Sequence, residues 1–314
     1  MIQLRSKVLR ATILPYGGTL TGLWHKDAPH SLVLGSTDNL AYRNALTFFG
    51  ALVGPVANRV RNATLIIEGQ KCHLPENEGT TSLHSGPQGL HAQFWTIAEQ
   101  SETALTLHCH LAHGSGGLPG NRDIRATYTV SDAGVLSLTV AATSDAATVM
   151  NIAHHPYWNL DGSATVDNHK LEVRATAFTP VDTATLLPTG EIASVQGTQY
   201  DFQRPRAVAT QIPLDCNLCL ADHRRRAPQI SAILSAPAGP RLTLHTTEPG
   251  LQLYNGAGLG PVDAKMHDRE DLRAHAGIAL EPQGWPDAPN HPAFPSILLP
   301  ANARYQQTTE YHLS

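Results

Sequence analysis

The residues best equipped for chemistry in this 314-residue chain are one carboxylate and several histidines, widely separated in sequence. Glu281 stands in Leu-Glu-Pro-Gln-Gly-Trp-Pro-Asp-Ala-Pro-Asn-His-Pro-Ala-Phe-Pro-Ser-Ile-Leu, residues 280 to 298, where the short apolar run Gly277 to Leu280 gives way to prolines. Proline fixes φ and withholds an N–H donor, so the stretch reads as a shaped loop and not as a central strand or helix. A carboxylate braced at a strand end by such a loop suits a positioned general base. Taken alone, a solvated loop carboxylate is the plainer interpretation.

The segment Met150-Asn-Ile-Ala-His-His-Pro-Tyr-Trp-Asn-Leu-Asp-Gly162 is too polar for a core strand and too aromatic for a free loop. Aromatic faces stack on the C–H surface of a pyranose while His and Asn exchange hydrogen bonds with hydroxyls, so a sugar platform fits, as does a buried aromatic cluster with satisfied histidines. His84 precedes glycines that permit close backbone approach to a ligand. Arg59 is the lone cation of a mainly apolar stretch from Phe48 to Val60 and needs partners if buried. In Leu251-Gln-Leu-Tyr-Asn255, alternation puts Gln252 and Tyr254 on one face, opposite two leucines.

Other chemistry-bearing groups read as structural. His108 and His110 alternate with Leu107, Cys109 and Leu111, which predicts a strand with its histidines toward solvent; no third metal ligand is at hand in the sequence. Cys216 and Cys219 form a Cys-x-x-Cys pair with no second pair to complete a zinc site and no helix start to suit a redox motif, so free thiols are expected. Arg224, Arg225 and Arg226 read as a charged turn.

The elements that must position these residues are short strands. The 25 glycines and 22 prolines are spread along the chain, long amphipathic helices are hard to find, and alternating runs such as Lys7 to Pro15, Leu20 to Trp24, Leu32 to Gly35, Ala63 to Glu68, Ala104 to Ala112, Ile124 to Val130, Val135 to Ala142, Tyr200 to Phe202 and Ile230 to Leu234 predict an all-β fold. No internal repeat or low-complexity linker divides the chain, so one domain over residues 1–314 is expected. A formal net charge of −4 gives no footprint for nucleic acid or an anionic membrane. No run of roughly 20 apolar residues and no N-terminal signal-like segment occurs, which predicts a cytoplasmic protein.

Taken in order, the motifs resemble the aldose 1-epimerase (galactose mutarotase) family. The likeness covers nearly the whole chain, through Gly54 to Val60, Leu83 to Gly89, Gly116 to Asn121, Asn151 to Leu160, Pro180 to Phe202, Asp215-Cys216-Asn217 and Leu280 to Ser296. Each motif is weak alone; seven in family order are specific. The resemblance implies a large twisted antiparallel β-sandwich with few short helices, an open sugar cleft, and no metal or nucleotide cofactor. It implies Glu281 as catalytic base, His155 as acid and His84 as an assistant at the ring or anomeric oxygen. Asn58, Arg59, Asp215 and Gln252 would bind sugar hydroxyls.

The activity so implied is interconversion of the α and β anomers of a free monosaccharide, by a monomer or homodimer. A carboxylate near pKa ~4.3 and a histidine near ~6.5 begin as base and acid of the right order for that proton exchange. Trp285 and His291 are expected on the cleft wall beside Glu281. Pro55, Ser85, His154 and Cys216 depart from the family pattern close to site motifs, and are expected to alter sugar preference. Three alternatives stay open: a non-catalytic sugar-binding β-sandwich, a hexose-6-phosphate 1-epimerase using Arg224 to Arg226, and a glycan-cleaving enzyme pairing Glu281 with Asp287.

Overall fold

Strict alternation of apolar and polar residues builds the larger sheet. In Ala104–Leu111, Arg122–Val130, Val135–Ser144 and Arg304–Leu313 every second residue is buried, so each strand offers one apolar face. The computed structural model, which describes residues 1–208, 210–269 and 271–314, joins them into a nine-stranded antiparallel sheet. Its order is Arg206–Ala207, Lys170–Val173, Gln229–Ser235, Leu242–Thr246, Arg304–Leu313, Val135–Ser144, Arg122–Val130, Ala104–Leu111 and Thr96–Gln100.

A six-stranded antiparallel sheet packs on its inner face, in the order Tyr157–Trp158, Ile278–Gln283, Gly250–Tyr254, Asp215–Cys219, Ala177–Thr179 and Ala193–Ser194. The two sheets share one core. Leu251, Leu253, Ile278, Leu280 and Leu218 from the smaller sheet meet Leu138, Val140, Leu242, Leu244 and Tyr311 from the larger. Burying each such leucine contributes roughly 1.5–3 kcal/mol. The sheet Ile2–Arg5, Leu9–Leu14, Thr19–His25 adds Leu4, Ile13, Leu20 and Leu23 to the same core. Among the described residues the only helices are six three-residue 3-10 turns. The architecture is thus the large antiparallel sandwich expected, and no helix among the described residues is long and apolar enough to cross a membrane.

Several expectations need correction. Leu32 to Gly35 and Tyr200 to Phe202 form no strand; Val33 makes one isolated bridge to Trp158, and Phe202 is buried as a core plug. The strand expected to end at Leu280 runs on as Ile278–Gln283, through Pro282. Pro282 lies opposite Leu251, while the ladder on the other side stops at Ala279, so its missing N–H deprives no neighbouring strand.

The prolines after Gln283 serve a different wall from the one expected. Trp285, Ala288, Phe294 and Ile297 pack with Val56, Val60 and Leu65 in a second apolar cluster. Trp285 Nε1 donates to the Pro249 carbonyl at 2.9 Å, and Asp287 Oδ1 accepts from the Arg61 N–H at 3.0 Å. The loop therefore braces the segment that carries Asn58 and Arg59.

Candidate active site

The register of three strands sets one polar face. Glu281 stands directly opposite Gln252, Gln252 opposite Asn217, and Tyr254 opposite both Ala279 and Asp215. Alternation then places Gln252, Tyr254, Asp215 and Glu281 on the side away from the core, while Leu251, Leu253, Cys216 and Leu280 enter it. The near-continuous burial of Ile278–Gln283 reflects coverage on both faces: core beneath, cleft wall above.

His155 reaches this face from a clamped segment. Its N–H donates to the Ala51 carbonyl at 3.0 Å and its carbonyl accepts from Gly50 at 2.8 Å, beside the pairing of Ala153–His154 with Leu52–Val53. The two adjacent histidines diverge: His154 turns into the core, 3.0 Å from the Tyr311 hydroxyl, whereas His155 puts Nε2 3.5 Å from Glu281 Oε1. The aromatics divide likewise. Tyr157 lines the cleft and Trp158 is fully buried against Tyr311. Asn151 and Asn159 bond the backbone of Gly284, Ser163 and Ala276 and hold loops.

His84 and Asn58 hold each other. The His84 N–H donates to the Asn58 carbonyl and the Asn58 N–H donates to His84 Nδ1, both at 3.0 Å. With Nδ1 accepting, the neutral ring carries its proton on Nε2 as a donor. Both residues have positive φ, 64° for Asn58 and 54° for His84, backbone strain of the kind that accompanies binding sites. Phe48 packs against His84, His91 and His155 and keeps the imidazoles in apolar surroundings.

Arg59 finds its partners in two carboxylates. Glu78 grips it in bidentate fashion, Nε to Oε2 at 2.6 Å and Nη2 to Oε1 at 2.9 Å, and Nη1 reaches Asp215 Oδ2 at 3.5 Å. Asp215 also accepts from Gln252 Nε2. All seven candidate residues, Glu281, His155, His84, Asn58, Arg59, Asp215 and Gln252, line one cleft of about 270 Å³, together with Phe48, Leu83, Tyr157, Leu186 and Tyr254. That lies just under the roughly 300–1,000 Å³ of drug-sized ligand sites, a scale suited to a small polar molecule.

Burial drives the electrostatics. It pushes Glu281 well above the ordinary carboxylate value, with Asp215 adding to the rise and Arg59 opposing it. It pushes His155 down to about 4, and His84 well below the usual histidine value, helped by the neighbouring His155. Glu281 Oε2 and His155 Nδ1 are buried without hydrogen-bond partners. One nitrogen or oxygen from each of His84, His155 and Glu281 lies within 4.8 Å of the others, a spacing that suits three groups around one sugar carbon and would also admit a divalent cation.

Other candidates fall outside the cleft. Trp285 is buried and His291 lies against Asp287 and Phe294, so neither lines it. Asp287 is held by Arg61 and Asn290 and does not line the cleft that Glu281 lines. Arg224 is tied to buried Glu248 and stacks over Tyr305, Arg225 donates to the Leu220 carbonyl, and none of Arg224 to Arg226 lines the cleft.

The departing positions stand behind the site: Ser85 Oγ accepts from the Val56 N–H, Pro55 accepts from Asn151, and His154 and Cys216 are in the core. None of the four lines the cleft. Cys72, Cys109, Cys216 and Cys219 are free thiols. Glu78 carried no signal in the sequence, and Leu186 lay within the stretch Pro180 to Phe202 without standing out in it. Tyr254 shared the polar parity of Gln252, and Phe48 and Tyr157 sat within motifs already singled out.

The family model described as aldose 1-epimerase matches residues 1–312. Human galactose mutarotase is 34% identical over 323 residues, covering 99% of this chain and 93% of the relative. The aldose 1-epimerase of Escherichia coli K12 is 30% identical over 316 residues, covering 96% and 90%. A solved aldose epimerase homologue from C. elegans superimposes with a TM-score of 0.92 at 32% identity, covering 100% of this chain and 98% of that one. A galactose 1-epimerase from Lactobacillus acidophilus shares the fold, with a TM-score of 0.84 at 23% identity, 99% of this chain and 93% of that one. With its sandwich, its polar sheet face and nearly its whole length matched in this way, the chain belongs to the aldose 1-epimerase family.

Proposed function

We propose that the protein interconverts the α and β anomers of a free aldose by acid–base ring opening and reclosure. The observation that carries this is the approach of His155 Nε2 to Glu281 Oε1, 3.5 Å apart in a buried cleft. O1 and O5 of a pyranose share carbon C1, so the base for one and the acid for the other must be close neighbours. Glu281 takes the proton from O1 while His155 gives one to O5; the C1–O5 bond breaks as the C1=O bond forms. Rotation about C1–C2 turns the carbonyl over. Reclosure returns the O5 proton to His155 and the Glu281 proton to O1, so the catalyst ends as it began.

The pair needs one proton in total at every stage. In the empty cleft burial favours the neutral arrangement, with a protonated carboxyl and a neutral imidazole, which is also the state that accompanies the open-chain sugar. Sugar hydroxyls entering the cleft would supply hydrogen bonds that favour the charged arrangement needed to begin. His84 Nε2–H supports the oxygen at which negative charge gathers. Arg59, Asp215, Asn58 and Gln252 hold the remaining hydroxyls. The absence of Arg224, Arg225 and Arg226 from the lining favours a neutral over a phosphorylated sugar.

Polarimetry of freshly dissolved pure anomers tests this. Wild type should accelerate exchange, and Glu281→Gln and His155→Asn should each slow it by roughly 10²-fold or more. Full activity in both variants would refute the roles. Sugar binding by wild type without acceleration would favour a non-catalytic sandwich.

A further inference from the structure

We propose that His245, Glu310 and His312 form a binding site for a divalent transition-metal ion on the outer face of the nine-stranded sheet. The sheet register builds it. Glu310 stands directly opposite His245 across the strand pair Leu242–Thr246 and Arg304–Leu313, and His312 follows two positions later on the same face. Two alternate positions on one strand and the facing position on its neighbour project three side chains as a triangle above the sheet.

The side chains already converge. The two imidazole centroids are 4.2 Å apart with planes inclined by 44°, and His312 Nε2 lies 3.0 Å from Glu310 Oε2. One ligating atom from each residue lies within 4.8 Å of the other two. Metal–ligand bonds of roughly 2.0–2.2 Å bring tetrahedral ligands to about 3.3 Å from one another, so small side-chain rotations close the set. Nδ1 of His245 is buried and has no hydrogen-bond partner.

A second triangle on the same sheet shows what distinguishes this one. His108 and His110 also alternate on a strand, with Asp123 opposite His110. There one carboxylate oxygen, Asp123 Oδ1, sits 2.9 Å from His108 and 3.2 Å from His110, filling the point where the two rings converge. At the outer face the two rings are tilted by 44° with centroids 4.2 Å apart, and Glu310 Oε2 meets the His312 ring at 3.0 Å.

Two imidazoles and one carboxylate select zinc, nickel or copper over calcium or magnesium, and leave a further coordination position for water. Ile230, Ser137 and Val135 occupy the flanking positions opposite His245, Glu310 and His312, so the ion would rest on a largely apolar surround. Bound there, it would pin the C-terminal strand to its neighbour on the face turned away from the core.

Calorimetric titration of the untagged full chain with zinc, repeated with cobalt while following visible absorption, tests the site. Wild type should bind one ion with the d–d bands of a nitrogen-ligated site. His245→Gln and His312→Gln should each weaken binding at least tenfold, while His155→Asn should leave it intact. Zinc should raise the thermal midpoint of wild type and of His155→Asn and not that of His312→Gln; midpoints of the metal-free variants report their folding. Unchanged binding in both outer-face variants, loss of binding in His155→Asn, or no binding by wild type would each overturn the proposal. Should either glutamine variant fold poorly, Glu310→Gln supplies the same comparison.

Discussion

Gln252 and Glu281 are direct partners across one antiparallel strand pair, and each carries a different half of the cleft's work. Gln252 Nε2 donates to Asp215, which also meets Arg59, while Glu281 approaches His155. Gln252→Leu leaves the Asp215 carboxylate short of a donor and removes a group aimed at the sugar. Hydrogen bonds to charged groups contribute roughly 1.5–3 kcal/mol, so KM should rise about 10-fold or more with kcat changed far less. Equal losses in kcat and kcat/KM would place Gln252 in the chemical step.

Glu78 touches Arg59 and does not line the cleft, so it isolates positioning from contact. Glu78→Ala should free the guanidinium from its bidentate grip and raise KM several-fold, with no change in thermal midpoint beyond that of an ordinary surface substitution. Glu78→Gln, which can accept at one oxygen only, should fall between. Kinetics identical to wild type in both variants would mean that Asp215 alone orients Arg59.

The pH–rate profile follows from the single proton shared by His155 and Glu281. A second proton blocks the base, and since His155 is pushed down to about 4 this acid limb should lie far below the usual histidine value. Loss of the one proton removes the acid, and with Glu281 raised that limb should lie well above the ordinary carboxylate range. The kcat/KM profile should therefore be bell-shaped, with an acid limb far below pH 6.5 and an alkaline limb where the pair gives up its one proton. A half-maximal point near 6.5 would indicate a solvated histidine.

His154 makes a prediction about stability and not rate. Burial holds its folded pKa at about 3, below the ordinary value, so its stabilising effect is complete above the unfolded pKa of roughly 6.5 and is lost as pH falls toward 3. His154→Asn removes that titration. Between pH 7 and 4.5 the stability advantage of wild type over the variant should shrink by roughly 2 kcal/mol, measured by urea unfolding at each pH. A gap independent of pH would show His154 to be accessible to protons when folded.

Trp285 was expected on the cleft wall and instead fills the second apolar cluster, edge to face with Phe294 at 5.1 Å. Trp285→Ala should cost roughly 3–5 kcal/mol of stability. Any rise in KM should appear only with the loss of order in the Val56 to Val60 segment. A large KM increase in a variant of unchanged stability would restore Trp285 to the sugar site.

What was legible in the sequence follows physical periodicity. The strict alternation of Ala104–Leu111 and Arg122–Val130 reports one wet face and one dry one, so these strands could be read directly. Ile278–Gln283 is covered on both faces, and its proline masked the continuation of the strand past Glu281. The seven cleft residues were found through motif order, which carries long-range information that local pattern lacks. Glu78 escaped because an exposed acid in a loop looks like any other until its partner is placed beside it. Leu186 escaped within its motif because a leucine in a turn looks like a packing residue until the cleft is placed beside it.

The two-sided strand Ile278–Gln283 also decides what kinds of sequence change this protein can absorb. Glu281 and Leu280 are neighbours with opposite destinations, so deleting or inserting one residue upstream in that strand would drive a carboxylate into the core and a leucine into the cleft. Phe48 and Leu186 reach the cleft from loop segments, where a change of length would reverse no strand's faces. The strand can change by substitution alone, which makes it a fixed ruler for the spacing of the cleft's polar face.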